Sequence, residues 1–345
     1  MKQLLRLAAV LFRGGNQGSL GSDSSRRKKR SGAGSVLLQS VKPPGKRAMN
    51  ARDYLAAARA ALGSADRAMA DAALAELVPP PPATPQPGTQ LAHNGWSATL
   101  DATTGDIVQL TAPDGRVLAG AAGALLAYRH ESYDWAALQR HLDTYLQHRE
   151  QWAILDHDKP GLAGARTART ATFVPAHRGI GADGRTAIAE LPGDARAALG
   201  GPARHEMSIR GLDTRRVAVT LVLRDKPANR MPEAGFLTLT PAEARNWSLR
   251  KMGLWHDTRN IVRRGGGQLQ AVEAVRTGLG AGRLTVTLLD CALVGPASSP
   301  FLPFQPDVPD FDAGLRINLY NNKWGTNFPM WWDGTLAVRV VLTLD

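Results

Sequence analysis

The stretch Arg216 to Leu223 places Val217, Val219, Leu221 and Leu223 at every second position, with Ala218, Thr220 and Val222 between them. A period of two puts one set of side chains on a single face only if the backbone is extended, so this segment is a strand. The same period recurs at Trp96, Ala98 and Leu100 and through Ile107 to Leu110, with turns at Thr104-Gly105-Asp106 and Pro113-Asp114-Gly115. Further strands are expected at 233–240, 268–275, 283–290, 314–320 and 335–344. One segment departs from the pattern. Between Tyr133 and Gln151, the residues Trp135, Leu138, Leu142, Tyr145 and Leu146 recur at helical spacing, which predicts a helix packed on a sheet. Many strands with frequent turns and one interposed helix predict a mainly β protein, a large antiparallel two-sheet sandwich bigger than an immunoglobulin domain.

The first part of the chain has a different character. Residues 1–50 are rich in Gly, Ser and basic residues and show no sustained periodicity, the composition of a disordered basic tail. Residues 51–78 turn Ala-rich, with Tyr54, Leu55, Ala58 and Leu62, then Met69, Ala73 and Leu77, at helical spacing; Gly63-Ser64 divides them into a short helical hairpin. Two helices this short need a partner surface, so they read as the remnant of a bundle. Residues 79–89 hold Pro79 to Pro82, Pro85 and Pro87, and proline fixes φ and donates no backbone hydrogen bond, which predicts a semi-rigid linker. The sandwich is expected over 90–345.

The charge is local. Of 42 bases and 30 acids, 11 bases and one acid lie in residues 1–50, leaving 31 against 29 in the remainder. Arg26 to Arg30 could engage polyphosphate, but a basic run set in Gly and Ser reads as a solvated tail, and a nucleic-acid partner is not expected. The single cysteine, Cys291, excludes an intramolecular disulfide framework and a cysteine-based zinc cluster, and it reads as a core thiol. Without a run of 18 apolar residues no membrane partner is expected. Met1 to Phe12 is short and interrupted by Arg6, so it is not read as a signal peptide, and a cytoplasmic location is favoured.

Two constellations could carry chemistry. Asn318 to Trp332 contains three of the eight Trp residues beside several amides. Aromatic rings against the apolar faces of pyranoses, with amides donating to and accepting from hydroxyls, are how proteins hold sugars; here Asn321, Asn322, Trp324 and Asn327 are the candidates. On residue chemistry alone, Trp324, Phe328 and the Trp pair could instead seal the end of the sandwich while the Asn residues satisfy turns. The second constellation, Arg224 to Glu233, follows the strongest strand, and Asn229, Arg230 and Glu233 are its candidate ligand contacts. A solvated hairpin with internal ion pairs is the alternative.

Other groups are weaker. Asp156-His157-Asp158 has metal-ligating residue types but no companion group at a recognisable spacing, and reads as a turn. His141 and His148, seven apart, do not match a zinc signature and read as surface histidines. Gly265 to Gly267 reads as a loop. Glu233, Asp257 and Asp290 are the acids with suggestive neighbours, but a glycosidase needs two carboxyls across one bond, and sequence does not pair them.

Taken together, Trp152 to Leu162, Arg224 to Glu233 and Asn318 to Trp331 resemble a family termed domain of unknown function 5054. Its members look like relatives of glycoside hydrolase family 38 α-mannosidases, which join a metal-dependent catalytic barrel, a helical bundle and a C-terminal sandwich of the galactose-mutarotase type. The resemblance covers roughly residues 90–345, with 51–77 similar to the tail of the bundle. It implies that zinc or another divalent metal and the nucleophile belong to the barrel, so no catalytic residue, metal ligand or cofactor is carried onto this chain. It also implies a carbohydrate partner of the mannose-type glycan class, and hydrolysis only beside a separate catalytic domain. Residues 1–50 match nothing in the family, and their abrupt composition suggests a truncated or frame-shifted gene. Two alternatives stay open: a sugar mutarotase or epimerase using His256-Asp257 or His205-Glu206, and an anion-binding protein acting through the basic tail.

Overall fold

The computed structural model describes residues 40–41, 49–50, 56–57, 59–75, 78–148, 150, 159–265, 268–280, 282–325 and 330–345. The chain divides into two compact units, Met1–Pro80 and Pro81–Asp345.

In the first unit, a helix spans Ser64–Ala75 and buries none of its residues. It begins where Gly63-Ser64 was expected to divide two helices. A two-residue strand pair joins Ser40–Val41 to Met49–Asn50. The rest of the expected tail lies outside the described residues.

Among the described residues, the second unit is a sandwich of two antiparallel sheets, each of ten strands. In hydrogen-bonded order, the first sheet runs Leu254–Asp257, Ala244–Lys251, Ala274–Leu279, Gly282–Leu288, Gly334–Leu344, Arg216–Lys226, Arg204–Gly211, Thr186–Glu190, Ala176–Gly181 and Pro85–Gln86. The second runs Gln270–Ala271, Leu293–Pro296, Leu315–Asn321, Glu233–Leu239, Leu126–Ser132, Ile107–Thr111, Trp96–Leu100 and Gln90–His93, with Val117–Ala119 also pairing with Ile107–Thr111 and Ala171–Phe173 with Leu126–Ser132. Val217, Val219, Leu221 and Leu223 enter the main core with Met207 and Ile209 of the neighbouring strand and Leu237 and Ile317 of the facing sheet. Full burial of a side chain such as Leu221 stabilises the fold by about 1.5–3 kcal/mol.

Three departures from the sequence reading have local causes. The run expected as one strand at 268–275 is two strands in different sheets. Between them Val272 N donates to Ala292 O and Glu273 N donates to Arg250 O, so the chain steps across the sandwich at those residues. The interposed helix is Trp135–Tyr145: Asp134 Oδ1 caps its start by accepting from Ala137 N at 2.8 Å, and Leu146 is already extended. Its packed face is Ala137, Leu138, His141 and Leu142, so His141 is a core residue and not a surface one, while Trp135 and Tyr145 stay open to solvent. His141 lies flat against Tyr145 and edge-on to Phe304. Beneath this helix Tyr133, Ala234, Phe236, Phe301 and Leu302 form a second, smaller core.

The third departure concerns the linker. Ala83 N donates to Glu206 Oε1 at 3.0 Å, Ala83 O accepts from Arg204, and Pro85–Gln86 pairs with Ala176–Gly181, so residues 81–89 are part of the sandwich. Proline is compatible with an outermost strand because the N–H it lacks would have faced no partner. Among the described residues, no helix is long and apolar enough to cross a membrane.

Candidate functional site

Pairing of the strands Glu233–Leu239 and Leu315–Asn321, with Ala234 opposite Asn321, brings the two sequence constellations together at one end of the second sheet. Asn322 N continues the contact by donating to Glu233 O at 2.8 Å. The lengthy strand Arg216–Lys226 of the other sheet ends at the same place and supplies Lys226. Gly235 and Tyr320 face each other, and a β-carbon at 235 would lie 2.2 Å from the Tyr320 ring, so the glycine makes room for the aromatic plane.

The centre of the cluster is an ion pair. Lys226 Nζ donates to Glu233 Oε1 at 2.5 Å and to Pro227 O at 3.1 Å, with both side chains sealed from solvent. Asn229 Nδ2 approaches Glu233 Oε2 at 3.4 Å. Burial pushes the Glu233 carboxyl up to about 7 against the pull of Lys226, and burial depresses the Lys226 ammonium in turn. The ammonium also lies 5.2 Å from the ring centroids of Tyr320 and Trp332.

Behind it runs a buried chain of hydroxyls and imidazole. His130 Nε2 lies 2.8 Å from the Leu199 carbonyl, an acceptor only, so Nε2 carries the proton and Nδ1 accepts from Tyr320 Oη at 2.9 Å. Tyr320 Oη must then accept from Tyr128 Oη, also at 2.9 Å. Burial holds His130 down at about 4, consistent with a neutral ring.

Asn322 is buried, and its amide ties the loops together: Nδ2 donates to Asn229 O at 2.6 Å and Oδ1 accepts from Lys159 Nζ at 2.5 Å. Lys159 Nζ also donates to Trp324 O at 2.6 Å. Nearer the surface, Trp324, Trp331, Asn229 and Asn321 are half-buried, and the exposed Arg230 lays its guanidinium 5.0 Å above the Trp331 ring. Asn321 Nδ2 donates to Asn318 Oδ1 at 2.7 Å, while its own Oδ1 has no partner among the described residues. Of the seven candidate contacts, the structure therefore gathers Asn229, Arg230, Glu233, Asn321, Asn322 and Trp324 at one place, with Glu233 and Asn322 below the surface; Asn327 lies outside the described residues.

Lys226, Tyr320 and His130 did not stand out in the sequence, although Tyr128 and His130 lie two apart on the buried face of their strand. The other acids are engaged separately: Asp257 by Arg259, and Asp290 by Arg339 at 2.9 Å. His205 and Glu206 are adjacent in a strand and face opposite sides, His205 into the core against Tyr128 and Glu206 toward Arg204 and Arg224. Among the described residues, no group of three or more His, Cys, Asp and Glu side chains is placed to hold a metal ion.

The fold is thus a two-sheet β-sandwich that carries an aromatic and amide cluster at one sheet end. Residues 47–215 match the model of the family described as Domain of unknown function (DUF5054). The match bears out the family resemblance; its span includes the helix of the first unit and stops short of Arg224 to Glu233 and Asn318 to Trp331, two of the segments that suggested it. Among solved structures, the chain is similar to an α-mannosidase from Enterococcus faecalis V583, with 7% identity, 78% of this chain and 30% of that chain covered, and a TM-score of 0.43. The chain thus spans less than a third of that protein's length. It is also similar to a putative aldose 1-epimerase from Escherichia coli K12, at 10% identity, 74% and 98% coverage and a TM-score of 0.35. A galactose mutarotase related enzyme from Lactobacillus acidophilus follows at 8% identity, 74% and 96% coverage and a TM-score of 0.31. No curated protein matches the chain.

Proposed function

We propose that the sandwich is a carbohydrate-binding lobe of an α-mannosidase-like glycoside hydrolase, holding sugar without cleaving it and acting in hydrolysis only beside a separate catalytic domain. The observation that carries this reading is the convergence of Trp324, Trp331, Arg230, Asn229 and Asn321 at one sheet end: half-buried ring faces next to amides, above a rigid buried base. Rings of this kind match the apolar face of a pyranose, and the amides match its hydroxyls. Glu233 and Asn322 serve as supports that fix the loops, since their polar atoms are committed to Lys226, Lys159 and backbone carbonyls. Glu233, Asp257 and Asp290, the three acids with suggestive neighbours in the sequence, are each paired with a cation, which supports binding over hydrolysis by this chain.

The test is calorimetric titration of the full chain with mannose-type oligosaccharides. Aromatic contacts are worth about 0.5–1.5 kcal/mol beyond buried area, so Trp324→Ala is expected to weaken binding by about 2- to 12-fold. A folded Trp324→Ala protein with unchanged glycan affinity would reject the assignment.

A further inference from the structure

Besides Lys226, which is paired with Glu233, three cations lie on or against the aromatic stretches 322–325 and 330–332, and among the described residues none of these three forms an ion pair. Lys159, 6% exposed, uses two of its three N–H donors on neutral acceptors, Asn322 Oδ1 and Trp324 O. Among the described residues, Lys323, 8% exposed, has ring faces beside its ammonium, Phe301 at 5.0 Å and Trp324 at 4.8 Å, and no acid. Arg230 lies on Trp331 and close enough to Lys159 for their charges to repel. Among the described residues, the buried acid nearby, Glu233, attracts Lys159 but is bonded to Lys226. Asp225 and Asp333 on the same loops are exposed, and Asp333 acts on Lys226.

Lysine is almost never fully buried without a counter-charge, because the desolvation of an ammonium is not recovered from neutral dipoles alone. Burial duly lowers both Lys159 and Lys323 to about 8. A neutral sugar would stack on the rings and leave these charges as they are; an anionic one would complete them. We propose that the ligand of this site is a sugar bearing a negatively charged substituent, a carboxylate or a phosphate, recognised by Lys159, Lys323 and Arg230 around Trp324. Charge-assisted hydrogen bonds from these groups would favour it over the uncharged parent. This rests on the carbohydrate reading above and narrows it.

The experiment is calorimetric titration of the full chain at low salt with four probes: a methyl hexoside, its 6-phosphate, the corresponding uronate, and inorganic phosphate. The charged hexosides are expected to bind at least 10-fold more tightly than the neutral one, with the advantage shrinking as salt rises. Arg230→Met and Lys323→Met, each checked for an intact thermal transition, are expected to cut the ratio of charged to neutral affinity at least 3-fold. Equal binding of charged and neutral hexosides overturns the charge proposal and leaves the carbohydrate reading standing. Binding of inorganic phosphate as tight as that of the charged hexosides, with no binding of the neutral one, supports the anion site and rejects the carbohydrate reading. No binding of any probe overturns both.

Discussion

Lys226 Nζ sits 2.5 Å from Glu233 Oε1, in a place where neither side chain reaches solvent. The two residues close the loop between the last residue of one sheet's long strand and the first of a strand in the other, so the pair joins the two layers where the candidate site begins.

Removing one partner of such a pair strands the other. Lys226→Met is expected to cost about 3–5 kcal/mol in urea denaturation at pH 8, because the Glu233 carboxylate is left buried without its cation. The loss should be smaller at pH 5, where the carboxyl, already pushed up to about 7 by burial, is protonated. The double variant Lys226→Met, Glu233→Leu should recover most of the loss. A single variant costing under about 1 kcal/mol would show that the pair is not a buried charge pair.

Acid should unfold the sandwich through two histidines. Burial holds His130 and His205 at about 4 in the folded chain, below the ordinary value of 6.5. For a depressed base, the unfolded state binds the extra proton, so the stability is fully present above about pH 6.5 and lost as pH falls toward 4. Each contributes about 3 kcal/mol to that loss. Among the described residues both ring nitrogens of His205 lack partners, so His205→Leu should raise stability by about 1–2 kcal/mol at pH 7 and more at pH 5. Denaturation curves across pH 4.5–7.5 that are parallel for the two proteins would contradict this.

Gly200 has a φ of +81°, and a β-carbon there would lie 2.1 Å from Glu233 Oε2 and 2.6 Å from Asn229 Cβ. Gly200→Ala therefore combines backbone strain with a clash against the ion pair, and a loss of about 2 kcal/mol or more is expected, read as a fall in melting temperature of about 4–8 °C. Gly63→Ala, with nothing within 4 Å, serves as the comparison and should leave the transition nearly unmoved.

Asp134 caps the helix Trp135–Tyr145 and also accepts weakly from Thr170 N at 3.3 Å. Asp134→Ala should cost about 1 kcal/mol and Asp134→Asn far less, since asparagine is an equally good cap. Equal losses for the two would assign the stability to the charge and not to the cap.

The strands whose apolar residues alternate were plain from sequence: Arg216–Lys226 and Gly334–Leu344 fall where the period placed them. The stretch 268–275 was not, because periodicity reports an extended chain and is blind to the sheet in which each piece pairs. The sequence leaves His141 looking like a surface residue because histidine tolerates both settings; the rings of Tyr145 and Phe304 around it decide the matter. At the candidate site, the residue types were legible and so was their clustering in two runs. What could not be read was depth: Asn322 and Glu233 look like ligand contacts in a polar run, and they lie inside because Lys159 arrives from a distant segment to hydrogen-bond the Asn322 amide and Lys226 arrives from the opposing sheet to neutralise Glu233.

Pro85 has a consequence beyond tying the linker to the fold. It stands opposite Gly181 in the outermost strand of the first sheet, where an open row of backbone groups would otherwise invite another polypeptide to add itself as an eleventh strand. With no N–H at 85 and only two residues in the strand, that border offers a poor template for aggregation, so a segment that looks like a spacer also guards the sheet against polymerising along this side.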